Sequence, residues 1–123
     1  MQRYLLDTNA IIYLIGGRLA GPLPAGRYSF SVISEIELLS FPGLSAEDDQ
    51  KITELLALLD RVELTQAVRF EAITLRKQKR FKLPDAIIAA SAINRNATLF
   101  TNDQAFYVTS GLTVQPLKLI SPS

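Results

Sequence analysis

Short apolar runs alternate along this chain with longer segments of helical periodicity. Each run is rich in aliphatic, aromatic or β-branched residues, which favour extended structure. The runs cover residues 3–6, 28–32, 62–64, 98–100 and 113–117. Strands that are separated by helices pair in parallel, because a crossover helix returns the chain to the same end of the sheet. The pattern therefore predicts an α/β domain with a parallel central sheet.

The helical segments between the runs carry recognisable start signals. Ser45 is a suitable N-cap, and it is followed by acidic residues and then by one apolar face. Thr65 is a suitable cap for a second long helix that carries Val68, Ala72 and Leu75 on one side. Residues 85–93 are apolar or small on every side, which predicts a helix buried by the rest of the fold.

Length and hydropathy fit one domain that spans residues 1–123. The chain has 123 residues and 48% hydrophobic content, and it shows no internal repeat or linker. The apolar stretches at 10–15 and 86–93 are far shorter than the roughly 20 residues that cross a bilayer. We therefore expect no membrane association, and the absence of cysteine staples favours the cytoplasm.

The composition excludes several kinds of catalysis. The sequence contains no Cys and no His, so thiolate nucleophiles, histidine bases and zinc sites of the usual type are ruled out. Chemistry must then depend on carboxylates, hydroxyls, amides or cations. The net charge of +1 is too small to argue for nucleic-acid binding by the whole surface, so that argument needs a local basic patch.

Four acidic residues stand where predicted elements begin or end. Asp7 and Asp103 follow strands, Glu37 lies in the first turns of a helix, and Asp85 starts the buried helix. Each position also has a structural explanation. Asp7 and Asp103 can cap the following helices, Ser34 and Glu37 have the spacing of a capping box, and Asp85 suits a helix dipole.

The combination of these acids favours function, because the carboxyl ends of parallel strands share one edge where ligands collect. Carboxylates brought together there repel one another, and at least one pKa should rise unless a cation is bound. Oxygen ligands without nitrogen or sulfur favour Mg²⁺ or Mn²⁺. A metal-activated water would then hydrolyse a phosphodiester bond.

The motifs that contain these acids resemble those of the PIN-domain nucleases, in particular the VapC-like toxins of toxin–antitoxin systems. The four motifs span the whole chain in the order of that family: residues 5–9, 34–38, 83–90 and 99–103. The resemblance implies a three-layer sandwich in which helices flank a central, mostly parallel sheet of about five strands.

The resemblance also implies residue roles. Asp7, Glu37, Asp85 and Asp103 would bind the metal and carry catalysis, with Thr8, Asn9, Thr101 and Asn102 as hydrogen-bonding support. The four acids themselves motivate a hypothesis for the mechanism: Asp7, Asp85 and Asp103 would hold one or two Mg²⁺ ions, Glu37 would be a ligand or water-orienting base, and a ribose 3′ oxygen would leave. The implied protein is an Mg²⁺- or Mn²⁺-dependent endoribonuclease, a homodimer restrained by an antitoxin protein.

The second acidic position is ambiguous between Glu35 and Glu37. Regular helix geometry places these two side chains about 200° apart, so only one should face the metal. We prefer Glu37, because Leu38 and Leu39 follow it as they do in the family.

The segment between the predicted long helix and Asp85 is strongly basic, and RNA phosphates are its natural ligands. Phe81 or Tyr13 would stack on an unpaired base. A solvated helix end is the alternative explanation. Surplus apolar residues in 11–15 offer a surface for a second copy or an antitoxin, with internal packing as the alternative. The candidate RNA-binding cations are Arg76, Lys77, Lys79, Arg80 and Lys82.

Two other functions compete with this interpretation. A non-catalytic PIN-like module would bind protein or RNA, and its acids would only cap helices. Phosphoryl transfer through an aspartyl phosphate would use Asp7 as nucleophile, but that chemistry usually has a second Asp two residues later, and Asn9 stands there.

Overall fold

Five short strands form one all-parallel sheet in the order β3-β2-β1-β4-β5. The computed structural model describes residues 1–78 and 81–121. The strands are β1 (Arg3–Leu6), β2 (Arg27–Ser31), β3 (Asp60–Val62), β4 (Thr98–Phe100) and β5 (Val114–Gln115). The helices are α1 (Thr8–Ile15), α2 (Val32–Leu39), α3 (Ala46–Ala57), α4 (Gln66–Gln78) and α5 (Leu83–Asn94), with a 3₁₀ helix at Gln104–Phe106. The predicted parallel sheet of about five strands is confirmed.

Helices cover both faces of the sheet, which makes three layers. Successive residues of a strand point to opposite faces, so Leu5 and Leu6 of the central strand belong to different cores. Leu5 packs with residues of α4 and α5, whereas Leu6 packs with residues of α1, α2 and α3. Both side chains are essentially inaccessible to solvent. The sheet is therefore rigid where β1 ends, and Asp7 follows at that point.

Local start signals in the sequence correctly located two helices. The Ser45 hydroxyl accepts a hydrogen bond from the Asp48 amide at 3.0 Å, and the Thr65 hydroxyl accepts one from the Val68 amide at 3.2 Å. Residues 86–92 of α5 are all buried, as predicted. No helix within the described residues is long and apolar enough to cross a membrane.

Three strands differ from the prediction: β2 lies one residue earlier, at Arg27–Ser31 rather than 28–32, and two others differ more. The third strand covers Asp60–Val62 rather than 62–64, and the last covers only Val114–Gln115 rather than 113–117. A residue belongs to a strand only where it pairs with a neighbouring strand. For β3 and β5, the apolar run in the sequence extends beyond the residues that pair. β3 pairs with Ser29–Ser31 of β2, which fixes its position two residues earlier than the apolar run suggests.

The capping-box interpretation of Ser34 and Glu37 is wrong. Helix α2 begins at Val32, and its N-cap is Ser31, whose hydroxyl accepts from the Ile33 amide at 3.1 Å. Ser34 is already inside the helix and fully buried. Its hydroxyl is therefore available for a contact with another element.

The predicted stacking role of Phe81 is also wrong. Phe81 is buried and packs against Phe106, with ring centroids 5.6 Å apart. The cations around it in sequence indicated an exposed segment, but the junction of α4 and α5 turns this one side chain into the core. Tyr13 is half-buried and packs against the core on the α1 side of the sheet.

Candidate active site

Asp7 and Asp103 lie at the same edge of the sheet, each just after a strand. β1 and β4 are neighbours, with Leu6 opposite Phe100. Asp7 is the N-cap of α1, and its Oδ1 accepts from the Ala10 amide at 2.7 Å. Asp103 caps the 3₁₀ helix, with its Oδ1 3.0 Å from the Ala105 amide. Both carboxylates are thus held by backbone amides at the carboxyl ends of adjacent strands.

Glu37 and Asp85 come to this edge from helices on opposite faces of the sheet. Glu37 is in the second turn of α2, and its Oε1 accepts from Thr8 Oγ1 at 2.8 Å. Thr8 follows Asp7, so this bond holds Glu37 beside the end of β1. Asp85 is in the first turn of α5 and is half-buried.

The buried position of Asp7 makes its charged form unfavourable. Its residue is only 5% exposed, and burial is the largest cause that raises the pKa of its carboxyl above the ordinary value of 3.8. Hydrogen bonds from Thr101 and from the Ala10 amide act in the opposite direction. The negative charges of Asp103 and Asp85 raise the pKa further.

Asp85 is affected in the same way by its surroundings. Burial is the main cause that raises its pKa, followed by the negative charges of Asp103 and Glu37. Lys82, just before it in sequence, partly offsets this effect. Every one of the four predicted acids therefore takes part in at least one of these interactions, although they come from four separate segments. The pKa values of Asp7 and Asp85 are thus both raised, mainly by burial and further by the neighbouring acids.

The donor chemistry of this site suits a hard divalent cation. Among residues 1–78 and 81–121, no three acidic side chains are close enough to hold one metal ion. The side chains of the acids and of Thr8 and Thr101 offer oxygen donors, and the sequence has no His or Cys. A cation such as Mg²⁺ prefers these ligands and would stabilise the charged form of both carboxyls, against their burial first and their mutual repulsion second.

The supporting residues divide into two groups. Thr8 contacts Glu37, and buried Thr101 bonds to the Asp7 carboxylate and accepts from the Asp103 amide at 3.0 Å. Asn102 instead binds the segment that follows β5. Its Nδ2 donates to the Leu117 carbonyl at 3.1 Å, and its Oδ1 accepts from the Leu117 amide at 2.8 Å. Asn9 is exposed in the first turn of α1.

Two residues near the acids were not among the sequence predictions. Ser34 Oγ lies 2.8 Å from Thr8 Oγ1, so Ser34, Thr8 and Glu37 form a chain of hydrogen bonds. The spacing of Ser34 from Glu37 was visible in the sequence, but it reflects one helix face rather than a cap. Tyr107 donates from its hydroxyl to the Thr101 carbonyl at 3.0 Å, and nothing in the sequence indicated this contact.

Glu35 faces a different environment from Glu37. Its Oε2 lies 3.4 Å from Nη1 of Arg61, which also pairs with Glu63. This ion-pair network connects α2 to the end of β3 and the residue after it, away from the contact with Thr8. Glu35 thus pairs with a cation. Glu37 instead bonds to Thr8, the residue after Asp7, and its charge raises the pKa of Asp85.

The predicted basic patch is only partly within the described residues. Arg76 and Lys77 are exposed in the last turn of α4. Lys82 is the N-cap residue of α5 and lies close enough to Asp85 to affect its pKa. Lys79 and Arg80 fall outside the described residues.

The fold and this cluster define a class: a parallel α/β domain with an acidic site at the carboxyl ends of its strands. A family model described as "PIN domain" matches residues 4–112. The chain therefore belongs to the PIN domain family, as its motifs predicted. No curated protein shows a significant match to the sequence.

Solved structures of similar fold come from toxin–antitoxin complexes. A chain of VapBC2 from Rickettsia felis, crystallised with a promoter DNA fragment, matches with a TM-score of 0.80, 23% identity and coverage of 95% of this chain and 100% of that one. A toxin–antitoxin complex from Klebsiella pneumoniae matches with a TM-score of 0.75 and 26% identity, and the match covers 89% of this chain and 95% of that one. VapBC-1 from nontypeable Haemophilus influenzae matches with a TM-score of 0.72 and 27% identity, and the match covers 94% of this chain and 98% of that one.

Proposed function

We propose that this protein is a metal-dependent endoribonuclease and the toxin of a toxin–antitoxin pair. The observation that carries the proposal is the electrostatic coupling of Asp7, Glu37, Asp85 and Asp103, which come from four segments to one edge of the sheet. Membership of the PIN domain family supports it, as does the likeness to VapBC complexes. RNA cleavage of this kind takes place in the cytoplasm, which is the compartment we propose.

The four acids would have different roles, because their surroundings differ. Asp7, Asp85 and Asp103 would hold Mg²⁺ or Mn²⁺, because they approach the strand ends from three directions. A bound dication would supply an acidified water and a polarised phosphate oxygen. Glu37 is exposed and oriented by Thr8, so it would serve as a ligand or accept the proton of the attacking water.

The reaction follows from these positions. The water oxygen attacks phosphorus in line with the ribose 3′ oxygen, and the bond from phosphorus to that oxygen breaks. Glu37 would accept the proton of the water, and a proton from solvent water would complete the departing oxygen, so the products would be a 3′ hydroxyl and a 5′ phosphate. Lys82 lies beside Asp85 and would attract a substrate phosphate. Arg76 and Lys77 would extend this attraction along α4.

An apolar groove beside the acids is the proposed docking site for an antitoxin. It has a volume of about 630 Å³ and runs between α1 and the segment that leads into α3. Ile12 and Phe41 are 48% and 68% exposed there. Thr8 and Glu37 line the same groove, so a partner that buried its apolar wall would also block Glu37.

The homodimer stays a prediction. On α4, Phe70 and Ile73 are 60% and 51% exposed and lie one turn apart, which makes them a candidate contact for a second copy. Sedimentation of the wild type beside a Phe70→Ser, Ile73→Ser double variant tests this contact. A dimer that the double variant loses would support it.

A non-catalytic binding module is the alternative function. In that case Asp7 and Asp103 would only cap helices, which both of them do. The caps do not account for Asp85, which lies in the first turn of α5; the helix dipole favours a carboxylate there, but burial and the charges of Asp103 and Glu37 oppose its ionisation. The complete acidic set therefore favours catalysis.

The deciding experiment is cleavage mapping of total RNA with wild type and Asp7→Asn, each with Mg²⁺ or with a chelator. Asn at position 7 keeps an oxygen for the Ala10 amide, so the fold is preserved while the charge is lost. We expect specific cuts only for wild type with Mg²⁺. Equal cutting by both proteins, or cutting that the chelator leaves intact, would overturn the proposal.

A further inference from the structure

A second charged cluster lies at the amino ends of the strands, at the opposite edge of the sheet from the acids. Arg3 begins β1, Arg27 begins β2, and Arg95 is the C-cap of α5. Together with Asp60 at the start of β3 they line a cleft of about 140 Å³. None of the residues that line this cleft belongs to the four motifs that contain the acids.

The register of the sheet brings two of these arginines side by side. Arg3 and Arg27 are directly paired on neighbouring parallel strands, so their side chains leave the sheet on the same face. Like charges opposite each other on adjacent strands destabilise a sheet unless an anion compensates them. Asp60 is the anion that this chain supplies.

One carboxylate is shared by two of the three guanidinium groups. Oδ2 of Asp60 lies 3.3 Å from Nη2 of Arg27 and 3.7 Å from Nη2 of Arg95. Nη1 of Arg3 donates to the Arg95 carbonyl at 3.2 Å. Three positive charges and one negative charge leave a local surplus of two, and each guanidinium is already oriented by a contact.

We propose that this cleft binds a phosphate dianion, either free or as the terminal monoester of a larger molecule. A phosphate monoester carries a charge of about −2 at neutral pH, which matches the surplus. Guanidinium groups bind phosphate oxygens through paired N–H donors, and three of them from two strands and a helix end suit a tetrahedral group. The volume is well below the roughly 300 Å³ where pockets for whole small molecules begin, so one phosphate group is the fitting ligand.

Two sources carry this chemistry: free phosphate and the terminal phosphate of an RNA. The first arm of the test measures binding of inorganic phosphate by calorimetry in the presence of EDTA, with chloride at equal ionic strength as reference. The chelator keeps phosphate from binding through a metal at the acidic site. Phosphate should bind wild type, and Arg27→Gln or Arg95→Gln should weaken that binding about tenfold or more.

The matched control is Arg18→Gln, which removes the same charge from an exposed position outside the cleft. It should change the phosphate affinity by less than about twofold, since Arg18 does not line the cleft. Arg27→Lys adds a conservative test, because it keeps the charge and removes the paired donors. It should bind phosphate more weakly than wild type and more strongly than Arg27→Gln.

The second arm compares a single-stranded RNA that carries a 5′ phosphate with the same RNA ending in a 5′ hydroxyl, both in EDTA. Tighter binding of the phosphorylated RNA, lost in Arg95→Gln, assigns the cleft to an RNA end. Phosphate binding without this preference assigns it to a free phosphate ligand. A wild type that binds phosphate no better than chloride, or an Arg18→Gln variant that loses as much affinity as Arg27→Gln, would overturn the proposal. Neither result bears on cleavage at the acids.

Discussion

Thr8 Oγ1 donates a hydrogen bond to Glu37 Oε1 at 2.8 Å, across 29 positions of sequence. Thr8 also contacts Ser34 Oγ at 2.8 Å, and Ser34 is fully buried. The exposed carboxylate of Glu37 is thus connected to the protein interior through two hydroxyls. Such contacts fix the direction of a flexible side chain without contributing charge.

Removal of the Thr8 hydroxyl should impair cleavage while the fold stays intact. Thr8→Val keeps the shape of the side chain, and we expect RNA cleavage to fall about 10- to 100-fold, as for other residues that orient a metal ligand. Thr8→Ser restores the hydroxyl and should recover most of the loss. Single-turnover cleavage rates measure both variants, and equal rates for Thr8→Val and wild type would refute the positioning role.

Glu35 and Glu37 form a matched pair of variants. Glu37→Gln should abolish cleavage, whereas Glu35→Gln should leave it unchanged, because Glu35 pairs with Arg61. The Glu35 contact is largely at the surface, so its loss should change stability little. Cleavage rates and urea unfolding of the two variants test this, and the reverse order of activities would contradict our choice of the second acid.

Asp7 should make metal-free protein less stable at neutral pH than at acidic pH. Its folded pKa is raised above 3.8, so the native state retains a proton that the unfolded chain releases in the window from 3.8 to the raised value. The contribution of Asp7 to stability is therefore full below 3.8 and is lost as the pH rises through the folded pKa.

Asp7→Asn should remove this dependence. In EDTA at neutral pH we expect it to unfold at a higher urea concentration than wild type, with the difference vanishing near pH 3.8. Asp7→Ala also loses the contact with the Ala10 amide and should be about 0.5–2 kcal/mol less stable than Asp7→Asn. A neutral-pH Asp7→Asn protein less stable than wild type would contradict this role of the buried charge.

Lys82 should contribute to RNA affinity through its charge. We expect Lys82→Gln to weaken RNA binding and to reduce the slope of log affinity against log salt by about one. Lys51→Gln is the matched control, because Lys51 lies on α3 and pairs with Glu47. Equal salt slopes for Lys82→Gln and wild type would exclude Lys82 from the RNA-binding surface.

The sequence predicted the features that depend on local order and failed for those that depend on contacts between elements. Alternation of runs and helices led to the parallel sheet, and so to the shared edge of Asp7 and Asp103. The N-caps Ser45 and Thr65 are decided within one turn and were found. Ser34 resembled a cap, but its partner, Thr8, lies 26 positions away.

Burial and strand register were the other features that sequence could not provide. Phe81 stands among cations, and only the packing against Phe106 shows that it belongs to the core. The pairing of Arg3 with Arg27 depends on the register of β1 against β2, which no local pattern reveals. The arginine cleft was therefore invisible before the fold was known.

Calorimetric titration of the metal-free protein with Mn²⁺ tests most directly whether the acids form one cation site. We predict that wild type binds the ion and that Asp7→Asn and Asp85→Asn each lose most of the affinity, while Glu35→Gln binds as wild type does. Binding should also release protons at a pH where Asp7 is partly protonated. Absence of Mn²⁺ binding, or equal affinity in wild type and Asp85→Asn, would contradict the claim of a shared site.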